Sequence, residues 1–267
     1  METGAAGLRR RLKLPFRVGT TSYVWPEDII SNVRRLKGLI DDVELVLFES
    51  EQSGNIPADE EMDELRRIGA GCDLSYTVHL PLDLNLGSSL AGERAKSISC
   101  IRSISRQVCA LAPKAYILHL NLPESSPRDI PAWQEYAGIS LKEIAAGNII
   151  APVKVAVENL SYPFDYIGGQ VLESGFSVCA DIGHLLVMGL DPLAHLEKYF
   201  ESIAVIHLHG VNGAKDHVSL KYLNQGMLKD IAGFLMRRGY AGVLTLEVFA
   251  QSDFEESMEI LWESLYL

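Results

Sequence analysis

Residues 176–186, FSVCADIGHLL, carry the reading of the fold. The run FSVCAD is apolar or small at nearly every position before Asp181, as a strand covered on both faces must be. His184 follows one helical turn later, in a segment that continues apolar. A buried strand passing directly into a helix, with a carboxylate and an imidazole at the join, is one β/α unit, and the unit recurs. Strands are predicted at 16–20, 43–48, 75–80, 115–120, 153–159, 176–181, 203–209 and 242–248. Helical periodicity occupies 27–39, 58–71, 89–112, 131–148, 191–201, 222–239 and 252–266. Several of these helices open on an aspartate or an early proline, as at Pro26-Glu27-Asp28, Pro57-Ala58-Asp59 and Asp191-Pro192.

Strict alternation of strands and helices implies a parallel sheet. Eight such units in 267 residues imply an α/β fold, a single (β/α)8 TIM barrel with its site at the C-terminal ends of the strands. The competing architecture is an open doubly wound sheet, but no GxGxxG follows the first strand. The absence of a low-complexity segment or Gly/Ser/Pro linker leaves residues 16–267 as one catalytic barrel. Residues 1–15, with Arg9, Arg10, Arg11 and Lys13, read as a flexible, solvated tail.

At 48% hydrophobic residues the chain can bury a substantial core, yet no apolar run reaches the roughly 18 residues that span a bilayer. The basic N-terminus has no apolar segment behind it, so it does not read as a secretory signal, and a cytoplasmic protein with no membrane contact is expected. Cys72, Cys100, Cys109 and Cys179 form no CxxC pair and read as buried thiols. A net charge of −11 argues against a large nucleic-acid footprint, which needs a basic face. The sequence says nothing of oligomeric state.

Polar residues collect where the predicted strands end. Strand two ends in Glu49, strand three in His79, strand four in His119 and strand five in Glu158. Strand six ends in Asp181 with His184 beyond it, strand seven in His207 and His209, and strand eight in Glu247. The loop after strand seven adds Lys215, Asp216 and His217. Of seven histidines, only His195 lies elsewhere, inside a helix. Strand parity places Thr77, Ile117, Ala156, Cys179 and Thr245 beneath this rim, an apolar or small layer under a polar one. Imidazoles with carboxylates suit Zn, Mn, Fe or Co. The donors are too many for one tetrahedral ion, so two or three divalent metal ions are expected, a set that activates water and stabilises a leaving oxygen in phosphodiester hydrolysis.

The ordered motifs TVHLPLD, ILHL, VAVENL, ADIGH, IHLHG, KDH and LTLEVF resemble the superfamily of endonuclease IV and the xylose isomerase-like barrels over almost the whole chain after residue 15. The endonuclease IV pattern implies metal ligands at His79, His119, Glu158, Asp181, His184, His207, Asp216, His217 and Glu247. The chain departs from it in one place: the Asp…His pair is adjacent here, and consecutive side chains diverge. The sugar epimerases of the same superfamily imply only Glu158, Asp181, His207 and Glu247 around one metal, with Glu158 and Glu247 as the catalytic acid and base. His79 and His119 discriminate, because a multimetal hydrolase needs them and an epimerase does not.

A closer resemblance lies in RVGTTSYVWPEDIISNVRRL, DDVELVLFES, YTVHLPLDLNLGS, SVCADIGHLL and GVLTLEVF. These phrases are similar to the cobamide-remodelling phosphodiesterases. That resemblance implies a small-molecule corrinoid substrate, cleaved at its nucleotide-loop phosphodiester to cobinamide phosphate and an α-riboside. Around the rim, Tyr23 and Trp25 are candidates to pack on a flat ligand, or simply aromatic wall. Tyr162-Pro163-Phe164 reads the same way. Arg128 and Lys215 are the nearest candidates for a phosphate contact, and Glu49 reads as an extra ligand, a substrate contact or, the favoured reading, an acceptor for a metal-bound imidazole. The other readings are a single-metal sugar isomerase or epimerase, an abasic-site endonuclease, which the acidic charge disfavours, and a corrinoid- or metal-binding module without turnover.

Overall fold

The computed structural model describes residues 13–50, 56–122, 129–147 and 150–266. The strands are β1 (Arg17–Thr21), β2 (Asp42–Val46), β3 (Ser75–His79), β4 (Tyr116–Leu118), β5 (Val155–Glu158), β6 (Ser177–Asp181), β7 (Ile203–Leu208), β8 (Gly210–Asn212), β9 (Lys215–Val218) and β10 (Val243–Leu246). Eight of them close a barrel in the order β1-β10-β7-β6-β5-β4-β3-β2, every neighbouring pair parallel. β8 and β9 form a separate antiparallel hairpin. The helices are α1 (Ile29–Leu36), α2 (Asp59–Cys72), α3 (Ala91–Val108), α4 (Ile130–Ala146), α5 (Gly168–Glu173), α6 (Ile182–Val187), α7 (Pro192–Tyr199), α8 (Gln225–Arg238) and α9 (Gln251–Leu265). The expected barrel is therefore the observed one. No helix among the described residues is long and apolar enough to cross a membrane.

Several helix starts follow directly from side chains. Asp28 accepts from the Ser31 backbone N–H at 2.8 Å to open α1, Asp191 caps α7 ahead of Pro192, and Asn224 caps α8. Alternate strand residues divide between two cores. Val43, Leu45, Val78, Leu118, Val157, Val178 and Ile206 pack outward against the helices. Ala115, Ile117, Ala156, Cys179, Val205 and Val243 fill the barrel interior as a separate apolar plug. Thr77 and Thr245 are fully buried.

Apart from β1, which keeps its predicted length, the strands are shorter than the periodicity predicts, mostly at their C-terminal ends. His119, His209 and Glu247 each lie one residue past the end of β4, β7 and β10. The ladder stops there because the side chains must converge on the mouth. The hairpin and the short helices α5 and α6 fall in stretches too short for a period to register. Of the four thiols expected to be buried, only Cys179 is; Cys72 and Cys109 are exposed and Cys100 is half-buried. Cys72 and Cys109 sit at helix ends, where the apolar stripe has run out.

Candidate metal centre

Glu158, at the tip of β5 and almost fully buried, is the hub of the barrel mouth. Its Oε2 lies 3.0 Å from His119 Nε2 and 3.4 Å from His79 Nε2. Its Oε1 lies 3.4 Å from His184 Nδ1 and 3.5 Å from His207 Nδ1. The two carboxylate oxygens thus face different sets of imidazoles.

Five overlapping donor groups, each with its ligand atoms within 4.8 Å of one another, lie among the described residues; Glu158/Cys179/His207 and Glu44/His79/Glu247 are two of them, and three clusters make up the rest. His79, His119 and Glu158 form one. Glu158, Asp181, His207 and Glu247 form a fully buried central one. Asp181, His184, His209 and His217 form the third. Two donor atoms carry the test of whether cations fit. His207 Nδ1 and Glu247 Oε2 face each other at 3.0 Å, yet neither makes a hydrogen bond. A nitrogen lone pair and a carboxylate oxygen directed at a common space, beside oxygens of Glu158 and Asp181, is how ligands of a shared cation are arranged. With imidazole and carboxylate donors, the set suits a divalent ion of the Zn, Mn, Fe or Co kind.

The DIGH stretch explains itself locally. Asp181 ends β6 and also caps α6, accepting the His184 backbone N–H at 2.6 Å. One turn of helix then returns the His184 ring to the same rim. Asn159, next to Glu158, locks the two strand tips together: its Nδ2 donates to Asp181 O at 2.9 Å and its Oδ1 accepts from Asp181 N at 2.8 Å. Its own carbonyl lies 3.1 Å from His184 Nδ1.

The hairpin supplies His217, which holds a left-handed backbone with φ 52°. For a non-glycine this conformation costs on the order of 1–3 kcal/mol, and such residues gather at functional sites. It turns the ring inward to stack on His209, centroids 4.1 Å apart, while the backbone N–H donates to His209 Nδ1 at 3.0 Å. With Nδ1 accepting, His209 carries its proton on Nε2 and directs it at Asp181, 3.2 Å from Oδ1. His209 therefore orients Asp181, and in this tautomer neither of its own nitrogens is free to hold an ion. Gly183 makes room for this: a Cβ there would sit 2.0 Å from the His209 ring.

Asp216 is corrected. It pairs with His217 Nδ1 at 3.0 Å, but its side chain is 42% exposed and it joins none of the donor clusters among the described residues. The turn that sends His217 in sends its neighbour out. Glu49 is exposed, three residues beyond the end of β2, on the parity that faces away from the barrel interior, and joins none of the donor groups among the described residues. Inside the barrel, Glu44 accepts from an imidazole, 3.0 Å from His207 Nε2. Lys215 is exposed beside the hairpin turn, and Arg128 lies outside the described residues. Tyr162 is wall, its hydroxyl donating to Leu120 O at 2.7 Å and its ring packed on Trp133.

Tyr23 and Trp25 line an apolar cavity of about 590 Å³ with Phe48, Phe249 and Gln251. Trp25 is pinned by its indole N–H donating to Gln251 Oε1 at 2.8 Å, and Tyr23 packs on Phe48 with centroids 5.0 Å apart. Phe249 reaches the metal centre, 5.7 Å from the His217 ring.

Crowded carboxylates and imidazoles shift one another. Burial pushes the His79 imidazole down, but Glu158, Glu44 and Glu247 outweigh it and hold its pKa at about 9. Burial likewise disfavours charged His217, but Glu247 and Asp216 carry it to about 10. Burial raises the Glu158 and Glu247 carboxyls, and the facing imidazoles overcome that and hold both well below the ordinary carboxylate range. Burial keeps Cys179 a thiol, pushed well above its usual range. His195, in α7, packs on Phe164 and Tyr199, and burial lowers it to about 4.

Residues 33–264 match the family model described as xylose isomerase-like TIM barrel. No curated protein matches the chain. Among solved structures, a D-tagatose 3-epimerase-like protein superposes with a TM-score of 0.77 at 22% identity, over 94% of this chain and 97% of that one. An L-ribulose 3-epimerase gives 0.73 at 14% identity, over 94% of each chain. Endonuclease IV from Thermus thermophilus gives 0.67 at 17% identity, over 93% of this chain and 98% of that one. At these identities the likeness is one of fold.

Proposed function

The chain belongs to the family of xylose isomerase-like TIM barrels, and from that premise we propose a metal-dependent phosphodiesterase that hydrolyses the nucleotide-loop phosphodiester of a cobamide. The products are cobinamide phosphate and an α-riboside. One observation carries the hydrolytic half of this reading: His79 and His119 stand on the far oxygen of Glu158, beside a central four-donor set that needs neither of them. A one-metal epimerisation has no use for the additional imidazoles, whereas an in-line displacement at phosphorus uses charge on both sides of the reacting centre.

Divalent ions held by these clusters supply Lewis-acid activation of water and neutralise charge on the phosphoryl oxygens. The chain's own residues do the positioning. Glu158 links the clusters through its two oxygens, Asp181 is held by the Asn159 amide and by His209, and Glu247 lies between His207 and His217. Burial of Glu158, Asp181, His207 and Glu247 excludes bulk water from beneath the reacting group. The aromatic cavity of Tyr23, Trp25, Phe48 and Phe249 supports a substrate with a large flat apolar part, more than a monosaccharide presents.

The test is product analysis by mass spectrometry after incubation with cobalamin, adenosylated and cyano forms, and Mn2+, Zn2+, Fe2+ or Co2+. Cobinamide phosphate and the riboside, lost on chelation, are the expected result. An unchanged corrinoid with every metal would overturn the reading. The second reading is a single-metal sugar epimerase, favoured by the completeness of the Glu158/Asp181/His207/Glu247 set alone. Ketose turnover that survives His79→Ala, at about one metal per chain, would establish it in place of the first.

A further inference from the structure

We propose that Glu44, inside the barrel on β2, is a positioning residue that fixes His207 as an Nδ1 donor and makes the Glu158/Asp181/His207/Glu247 cluster the tightest ion site. The inference rests on the metal-centre reading and is independent of the substrate.

Glu44 and His207 are both fully buried and lie 163 residues apart in sequence. Their strands are not neighbours, since β1 and β10 stand between β2 and β7, so the contact crosses the barrel interior. Glu44 Oε2 lies 3.0 Å from His207 Nε2. A carboxylate only accepts, so the proton of a neutral His207 resides on Nε2. That leaves the Nδ1 lone pair facing Glu247 Oε2 at 3.0 Å, Glu158 Oε1 at 3.5 Å and Asp181 Oδ2 at 3.7 Å.

The other imidazoles are held differently. His79 Nδ1 meets the Leu80 carbonyl at 2.9 Å and His184 Nδ1 meets the Asn159 carbonyl at 3.1 Å. The neutral backbone acceptor puts the His79 proton on Nδ1 and leaves Nε2 toward Glu158, whereas His184 Nδ1 also faces Glu158 Oε1 at 3.4 Å. His207 is oriented by a charged group on the side away from the central cluster, and it presents the opposite nitrogen from His79. A carboxylate on the far side makes an imidazole a more basic ligand. The remaining Glu44 oxygen, Oε1, is buried without a hydrogen bond. A buried carboxylate left short of partners is costly in isolation, and a cation across the imidazole ring offsets that cost.

Glu44→Gln tests the charge, and Glu44→Ala removes the acceptor. Mn2+ and Zn2+ binding would be followed by competition with a chelating indicator, and the His207 tautomer by 15N NMR of the Zn2+ form. Expected are losses at the tightest site of about 10-fold for Gln and about 100-fold for Ala, with the weaker sites unchanged and Nε2–H retained in the Gln variant. Unaltered affinity at the tightest site in the folded Gln variant would overturn the proposal. So would equal loss at every site, or outright loss of one equivalent of metal, which marks a direct ligand. Should the Ala variant fail to fold, the Gln variant decides alone. No corrinoid enters the titration, so a negative product analysis leaves this result standing.

Discussion

Protons and metal ions compete for the same imidazoles at this barrel mouth, and the strength of that competition follows from the geometry. In the metal-free protein Glu158, Glu44 and Glu247 hold His79 at about 9, against 6.5 for an unperturbed histidine. An ion entering the His79/His119/Glu158 cluster must displace that proton, so its affinity falls about tenfold for each pH unit below the pKa. Lowering the pH from about 8 to about 6 therefore costs about 100-fold at this cluster, whereas a histidine at its ordinary pKa would cost about fourfold. His217, at about 10, imposes the same slope on the third cluster. The assay is a chelator-buffered Mn2+ or Zn2+ titration across this range at constant ionic strength. Calorimetry in two buffers would count protons released, about one per ion at the His79 cluster. A drop of only about fourfold, with almost no proton released at about pH 8, would refute the reasoning. Stability carries the opposite sign. A histidine raised in the folded state stabilises the metal-free protein fully below 6.5, and that stability is lost as the pH rises through about 9. Thermal melts of the metal-free protein should therefore weaken across that window.

Three other perturbations have defined outcomes. Glu158→Gln removes the link between clusters and should nearly abolish turnover while lowering metal content; near-normal turnover in that variant would remove its bridging role. Asp42, fully buried, has its carboxyl raised from 3.8 to about 6 by burial, so the fold loses stability as the pH rises through that interval. Asp42→Asn should stabilise the protein by about 3 kcal/mol above that range and by little below it, as read by urea unfolding at two pH values. Destabilisation at high pH would contradict this. Gly183→Ala places a Cβ 2.0 Å from the His209 ring and should empty the Asp181/His184/His209/His217 cluster while circular dichroism stays that of the intact barrel. Unchanged metal content would show that His209 has room to move.

The barrel was legible because its cause is local. Strands covered on both faces must be apolar along their length, and eight such runs separated by amphipathic stretches admit few arrangements. The strand-end histidines and carboxylates were legible for the same reason: a barrel brings all its C-terminal strand ends to one mouth, so position along a strand becomes position in space. His79, His119, Glu158, Asp181, His184, His207 and Glu247 come together in this way. For β2 the predicted strand ran two residues past its observed end, which leaves Glu49 beyond the ladder.

What the tertiary structure decided are relations that no local pattern encodes. Glu44 sits in the middle of an apolar run, and its partner His207 lies across the barrel interior. Asn159 reads as an ordinary residue after a strand until Asp181 arrives on the neighbouring tip. Asp216 and His217 are equivalent in sequence, and only a left-handed backbone at His217 sends one ring inward and leaves the other side chain near solvent. The sequence by itself determined which residues reach the mouth, because alternation and strand length are properties of the chain. The structure decided how each donor is oriented, because hydrogen-bond partners are set by the closure of the barrel.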